Sequence, residues 1–127
     1  MAKAAMIFQV LFAIAISQTE RWVYHYPGSG DRMDRAVEIA CGPDSSIYAA
    51  GTTHSDQAHD DFTVVGLTRA GSQRRIYRYN GTGDSTDGAS SMIVGPDGNI
   101  YAAGFSCSNS TGYDLAVISL TPSDSER

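Results

Sequence analysis

The sequence predicts an all-β chain built from two copies of one four-stranded antiparallel unit, and three observations predict it. Shifted by 53 residues, the chain aligns with itself without a gap. Within each copy, apolar and aromatic residues alternate in short runs of strand length. Glycine is abundant, at 13 of 127 residues, and charged residues are only 18%, below the roughly 25% usual for soluble domains. That composition suits turns and short strands better than solvated helices.

The repeat is dense. Tyr24, His25 and Tyr26 fall on Tyr77, Arg78 and Tyr79; Gly28, Gly30, Asp31, Asp34 and Ala36 fall on Gly81, Gly83, Asp84, Asp87 and Ala89. Gly42-Pro43-Asp44 meets Gly95-Pro96-Asp97, and Ile47-Tyr48-Ala49-Ala50-Gly51 meets the identical run Ile100-Tyr101-Ala102-Ala103-Gly104. Asp61, Val64, Leu67 and Thr68 meet Asp114, Val117, Leu120 and Thr121. Self-similarity at a fixed period defines the building unit before any element is assigned. Copy one runs from about residue 21 to 73 and copy two from about 74 to 127, within a module of residues 18–127.

Each copy reads as four strands. Tyr24 and Tyr26 share one side of an extended stretch with His25 on the other, and residues 77–79 repeat this. A second strand is predicted over 35–41 and 88–94. Turn chemistry follows at 43–46 and 96–99, where Asp97-Gly98 is a strong hairpin signal. The third strand is predicted over 46–52 and 99–105, the fourth over 61–68 and 114–121. Val37, Ile39 and Cys41 on one side of the second strand, and Ala36 and Ala40 on the other, are small or apolar. A sheet covered on both faces stands between like sheets. Four antiparallel strands, covered on both faces and repeated at about 50 residues, describe a blade of a β-propeller.

These residues resemble the SBBP-type β-propeller repeats of bacterial and archaeal proteins. The resemblance rests on Trp22-Val23-Tyr24-His25-Tyr26, the glycine-rich loop from Gly28 to Ala36, Asp97-Gly98-Asn99-Ile100-Tyr101 with Gly104, and Asp61-Phe62 or Asp114-Leu115, and it covers residues 21–127. It implies a scaffold on exported or surface proteins, with no shared catalytic motif. Repeat units need about three or more neighbours for stability, and two blades leave outer faces open. The register leaves the sheet of copy two without the further strand that residues 77–79 would give the sheet of copy one, and residues 22–26 as a strand without a blade. A neighbour's residues 22–26 would complete that sheet. Closed rotational symmetry then gives six blades from a trimer or eight from a tetramer, the alternative being further blades of a longer protein.

Lys3 and the apolar run 4–17, ending in Ala15-Ile16-Ser17, read as a secretory signal peptide over residues 1–17, since fourteen residues fall short of the roughly 20 of a spanning helix. Secretion or display at the cell surface is the expectation. Net charge is −5, which argues against a surface for nucleic-acid phosphates. Cys41 and Cys107 match no zinc, haem or redox spacing, and export would permit a bridge without requiring one.

Candidate ligand residues gather on one rim. The loops 27–34 and 80–87 share that rim with 54–60 and 107–113, and longer polar loops are where function concentrates. Asp31 and Asp34, with Asp84 and Asp87, offer carboxylates to a hard cation such as Ca²⁺, but without the spacing of a calcium loop. The plainer reading is an aspartate capping its own turn. His54, His59, Asp60 and Asp61 form the densest cluster of metal-ligand types, yet copy two has Cys107 and Gly112 at the histidine positions, so a solvated loop is the better account. Trp22 and the tyrosines at 24, 26, 48, 77, 79 and 101 can stack on sugar faces, and small trimeric propeller lectins resemble this two-blade plan, but paired strand aromatics more often build core. Asn80-Gly81-Thr82 and Asn109-Ser110-Thr111 fit the glycosylation acceptor. There is no nucleophile elbow, phosphate loop or dinucleotide fingerprint. The expectation is a module without catalysis or resident cofactor, acting by surface recognition of a glycan or protein or as a scaffold.

Overall fold

The computed structural model describes residues 18–29, 32–55 and 59–122. The leader over 1–17 and Asp31 lie outside the described residues. Two antiparallel sheets and no helix make up the described chain. The first sheet runs β1 (Arg35–Cys41), β2 (Ile47–His54), β3 (Asp60–Leu67) and β4 (Gln73–Tyr79), each strand beside the next. The second runs β5 (Gly88–Val94), β6 (Ile100–Ser108) and β7 (Gly112–Leu120). The predicted second, third and fourth strands are therefore present in both copies, within two or three residues at their ends.

The first predicted strand behaves differently in the two copies. Residues 77–79 lie in β4, paired with β3 from Phe62↔Tyr79 to Leu67↔Gln73. Residues 24–26 belong to no sheet. The sheets thus hold four and three strands rather than four each, and the sheet boundary is displaced from the repeat boundary. The reason is pairing: β4 follows β3 through a short turn, whereas residues 24–26 have no strand before them among the described residues.

Turn and bulge chemistry repeats with the sequence. In the β1–β2 turn the Gly42 amide donates to Ser46 O (2.8 Å) and Asp44 Oδ1 accepts the Ser46 amide (3.1 Å). The β5–β6 turn repeats both bonds, from Gly95 to Asn99 O (2.8 Å) and from the Asn99 amide to Asp97 Oδ1 (3.0 Å). Its left-handed position is Gly98 (φ 79°), matched in the first turn by Ser45 (φ 65°). Both β1 and β5 carry a register shift at the same place, between Ala36 and Glu38 and between Ala89 and Ser91. Opposite each bulge stands a glycine, Gly51 or Gly104.

The core lies between the sheets. Tyr48, Ala50, Phe62 and Val64 of the first sheet pack with Met92, Ile100, Ala102 and Leu120 of the second. Alternation places the first four on one face, because Tyr48 pairs with Gly66, Ala50 with Val64 and Thr52 with Phe62. Each of these eight side chains is at most 8% exposed, and this apolar layer supplies the main force holding the sheets together.

Candidate functional site

The loops before β1 and β5 lie against the ends of β2 and β6, and carboxylates tie them there. Asp34 stands just before β1. Its Oδ2 accepts the Gly28 amide (2.6 Å) and its Oδ1 accepts the His54 amide at the end of β2 (2.8 Å). Asp87, 53 residues on, repeats the arrangement with the amides of Gly81 (2.7 Å) and Cys107 (2.8 Å). In each copy one carboxylate ties the loop before the first strand of a hairpin to the far end of its second. Main-chain bonds run alongside, from Ser29 to His54 O (3.0 Å) and from Gly83 to Cys107 O (2.9 Å). Asp87 is fully buried. The aspartates therefore reach 6 residues back and 20 forward, well beyond a local capping turn.

The second candidate group sits where the two copies meet at these loops. His54 is buried, and its Nδ1 lies 2.9 Å from Oδ1 of the part-buried Asp60. The Asp60 carbonyl accepts the Asp87 amide (2.7 Å), joining the first copy's loop to the second's. His59 and Asp84 approach more loosely across the same junction (Nε2 to Oδ1 3.9 Å), with the Asp84 side chain 70% exposed. The structure thus brings His54, Asp60 and Asp87 together and leaves His59 and Asp84 as the accessible pair. Among the described residues no group of three His, Cys, Asp or Glu side chains is arranged to hold a metal ion.

Asp61 follows in β3, buried, with Oδ1 lacking a partner among the described residues. Burial pushes its carboxyl above the usual carboxylate range, aided by the charges of Asp87 and Asp60 and opposed by Arg78. Since the folded state then holds the proton more tightly than the unfolded chain, the stability it contributes is full below the ordinary value of 3.8 and is lost as pH rises through the raised folded value. Asp61→Asn is expected to exceed the native chain in stability at pH 7 by about 1 kcal/mol, the gap closing toward pH 4. Urea melts at the two pH values check this, and a less stable Asn variant at pH 7 would refute it.

The aromatic residues divide. Tyr48 is core, at 2% exposure, and Tyr77 packs against that core. Tyr101 donates to Asp97 Oδ2 (2.6 Å) and holds that carboxyl below its ordinary range. Trp22, Tyr24 and Tyr26 line a cleft of about 600 Å³ with Ile47, Ala49 and Leu67 on the face of the first sheet turned away from the core. Trp22 Nε1 donates to Arg69 O (3.2 Å) and Tyr24 Oη to Gln73 Oε1 (2.6 Å), so this segment rests on the β3–β4 turn. Gly71 in that turn has φ 83°, and a side chain there would strike the Trp22 ring. No single motif marks this cleft; its signal is the strand-like segment 22–26 that lacks a sheet. Cys41 and Cys107 are unbridged.

Comparison with known protein families finds no family model that matches the chain. Comparison with curated proteins finds no match either. The class that the fold defines is an all-β protein of two antiparallel sheets packed face to face.

Proposed function

We propose that the chain is a non-catalytic, exported module of two β-propeller blades, which recognises a surface ligand on its loop-bearing rim or serves as a scaffold. One observation carries this reading: the carboxylates present in both copies, Asp34 and Asp87, spend both oxygens on backbone amides of the rim loops. Residues fixed in that way shape a surface, and Asp34 and Asp87 have both oxygens engaged. The His54–Asp60 pair resembles half of a catalytic relay, but its histidine is buried, at 7% exposure. The apolar leader supports export.

The test is binding to glycan and peptide arrays beside turnover assays on ester, phosphoester and glycoside substrates. A ligand that loses at least tenfold in affinity in His59→Ala/Asp84→Ala supports recognition at the rim; silent arrays leave scaffolding alone. Turnover that disappears in His54→Gln would overturn the non-catalytic reading.

A further inference from the structure

We infer that a second copy of this chain docks head to tail on the first, its first sheet covering the open face of the second sheet and its residues 20–26 pairing antiparallel with β7. This rests on the blade reading above.

The faces carry the first half of the argument. In the first sheet, Tyr48, Ala50, Phe62 and Val64 look toward the second sheet and are 0–2% exposed. Their counterparts 53 residues on are Tyr101, Ala103, Leu115 and Val117, which share one face of the second sheet through the pairs Ala103↔Val117 and Phe105↔Leu115. That face is open: Leu115 is 82% exposed and Val117 63%. Ile93, paired with Tyr101, is 62% exposed, while its counterpart Ala40 packs against the core.

The opposite faces are reversed. Met92, Ile100, Ala102 and Leu120 of the second sheet are buried against the first. Their counterparts are Ile39, Ile47, Ala49 and Leu67, on the outer face of the first sheet beside the aromatic cleft; Ile39 is 66% exposed, Ile47 and Ala49 are half-buried, and Leu67 is already covered within the chain. The internal interface therefore joins one kind of face to another, and the chain leaves one of each kind without a sheet against it, the first sheet's outer face being covered in part by residues 22–26. Two copies bring those faces together as the two sheets already meet within one chain. Such a contact joins different patches on the two partners, so repetition generates a ring or an open filament, according to whether the rotation closes.

The edge carries the second half. β3 is paired on both sides, by β2 and β4, and is buried from Asp61 to Leu67. Its counterpart β7 pairs only with β6, and among the described residues nothing covers its outer edge. An open strand edge is a template for pairing with another chain. The counterpart of β4 is residues 20–26. They already stand over the first sheet much as β4 stands over the second: Trp22 donates to the carbonyl of Arg69, and Arg75, its counterpart, donates to that of Thr121 (2.6 Å). The bonds Gly28–Asp34 and Gly81–Asp87 follow in both cases. What residues 20–26 lack is a sheet with an open β7-type edge, which a second copy supplies. Transferring the observed pairs Val64↔Tyr77 and Phe62↔Tyr79 by 53 residues sets Val117 opposite Tyr24 and Leu115 opposite Tyr26.

The register makes this testable, because directly opposed residues on antiparallel strands lie about 4.5–5.5 Å apart at Cα, within disulfide reach. In a Cys41→Ser/Cys107→Ser background, Tyr24→Cys and Val117→Cys chains are expected to cross-link when co-expressed and neither to cross-link with itself. Light scattering of the unaltered chain is expected to give a discrete trimer or tetramer. Val117→Arg, at a site open in the single chain, should keep the strand signature in circular dichroism and weaken assembly at least about 100-fold. A monomer that retains that signature, a bond formed within one chain when Tyr24→Cys and Val117→Cys are combined, or a mass unchanged in Val117→Arg would overturn the docking. Those results leave the rim reading intact, since it is judged by ligand binding.

Discussion

Asp87→Ala is expected to lower stability by about 3–5 kcal/mol, a large share of the roughly 5–15 kcal/mol that holds a domain folded. The carboxylate is fully buried and accepts two amides, from Gly81 at 2.7 Å and Cys107 at 2.8 Å. Hydrogen bonds to a charged group contribute about 1.5–3 kcal/mol each, and removing the acceptor leaves two part-buried N–H groups unpaired. Asp87→Asn keeps one acceptor oxygen but turns an NH₂ toward the other amide, so about half of the loss should remain. Asp34→Ala should cost less, about 2 kcal/mol, because Asp34 is only part-buried and water can replace it. Urea unfolding of the three variants orders them, and a loss below 1 kcal/mol in Asp87→Ala would show that the loops hold without the carboxylate.

The aspartates also mark where sequence reading stops. Their recurrence at a 53-residue offset is visible in the sequence. Their role is not, because the second amide each one accepts lies 20 residues downstream, at a site that comes near only when β1 and β2 pair. Strands behaved alike: every segment with a neighbouring strand to pair with was legible, whereas residues 24–26 have strand composition without a partner. Local propensity cannot make a strand alone. Burial was least legible of all. Phe62 and Leu115 occupy the same repeat position, yet one is 0% and the other 82% exposed. The difference lies in what stands beside the sheet, which no side chain within the repeat encodes. The His54–Asp60 pair shows the same limit, since it joins the facing ends of β2 and β3 and copy two has Cys107 and Tyr113 at those positions.

Gly51→Ala and Gly104→Ala should each cost about 3 kcal/mol or more, and the reason is the bulge that both copies share. A Cβ at Gly51 would overlap the Arg35 carbonyl oxygen and lie 2.9 Å from the Ala36 Cα; at Gly104 it would overlap the Gly88 carbonyl and lie 2.9 Å from the Ala89 Cα. Both obstacles are backbone, so no rotamer change relieves them, and overpacking of this kind usually costs about 1–3 kcal/mol even where side chains can move. Neither glycine has a positive φ, so the penalty comes from close approach of the crossing strands and is independent of backbone conformation. This explains why the most faithfully repeated run, Ile-Tyr-Ala-Ala-Gly, ends where it does: apolar residues for the core, then a glycine for the bulge. The neighbouring substitutions Ala49→Gly and Ala103→Gly, which add no atoms, should cost only about 1 kcal/mol. Thermal melts of the four variants would separate close approach from strand propensity. Equal losses in all four would mean that the bulge tolerates a side chain, and that the glycines are held by something other than the backbone opposite them.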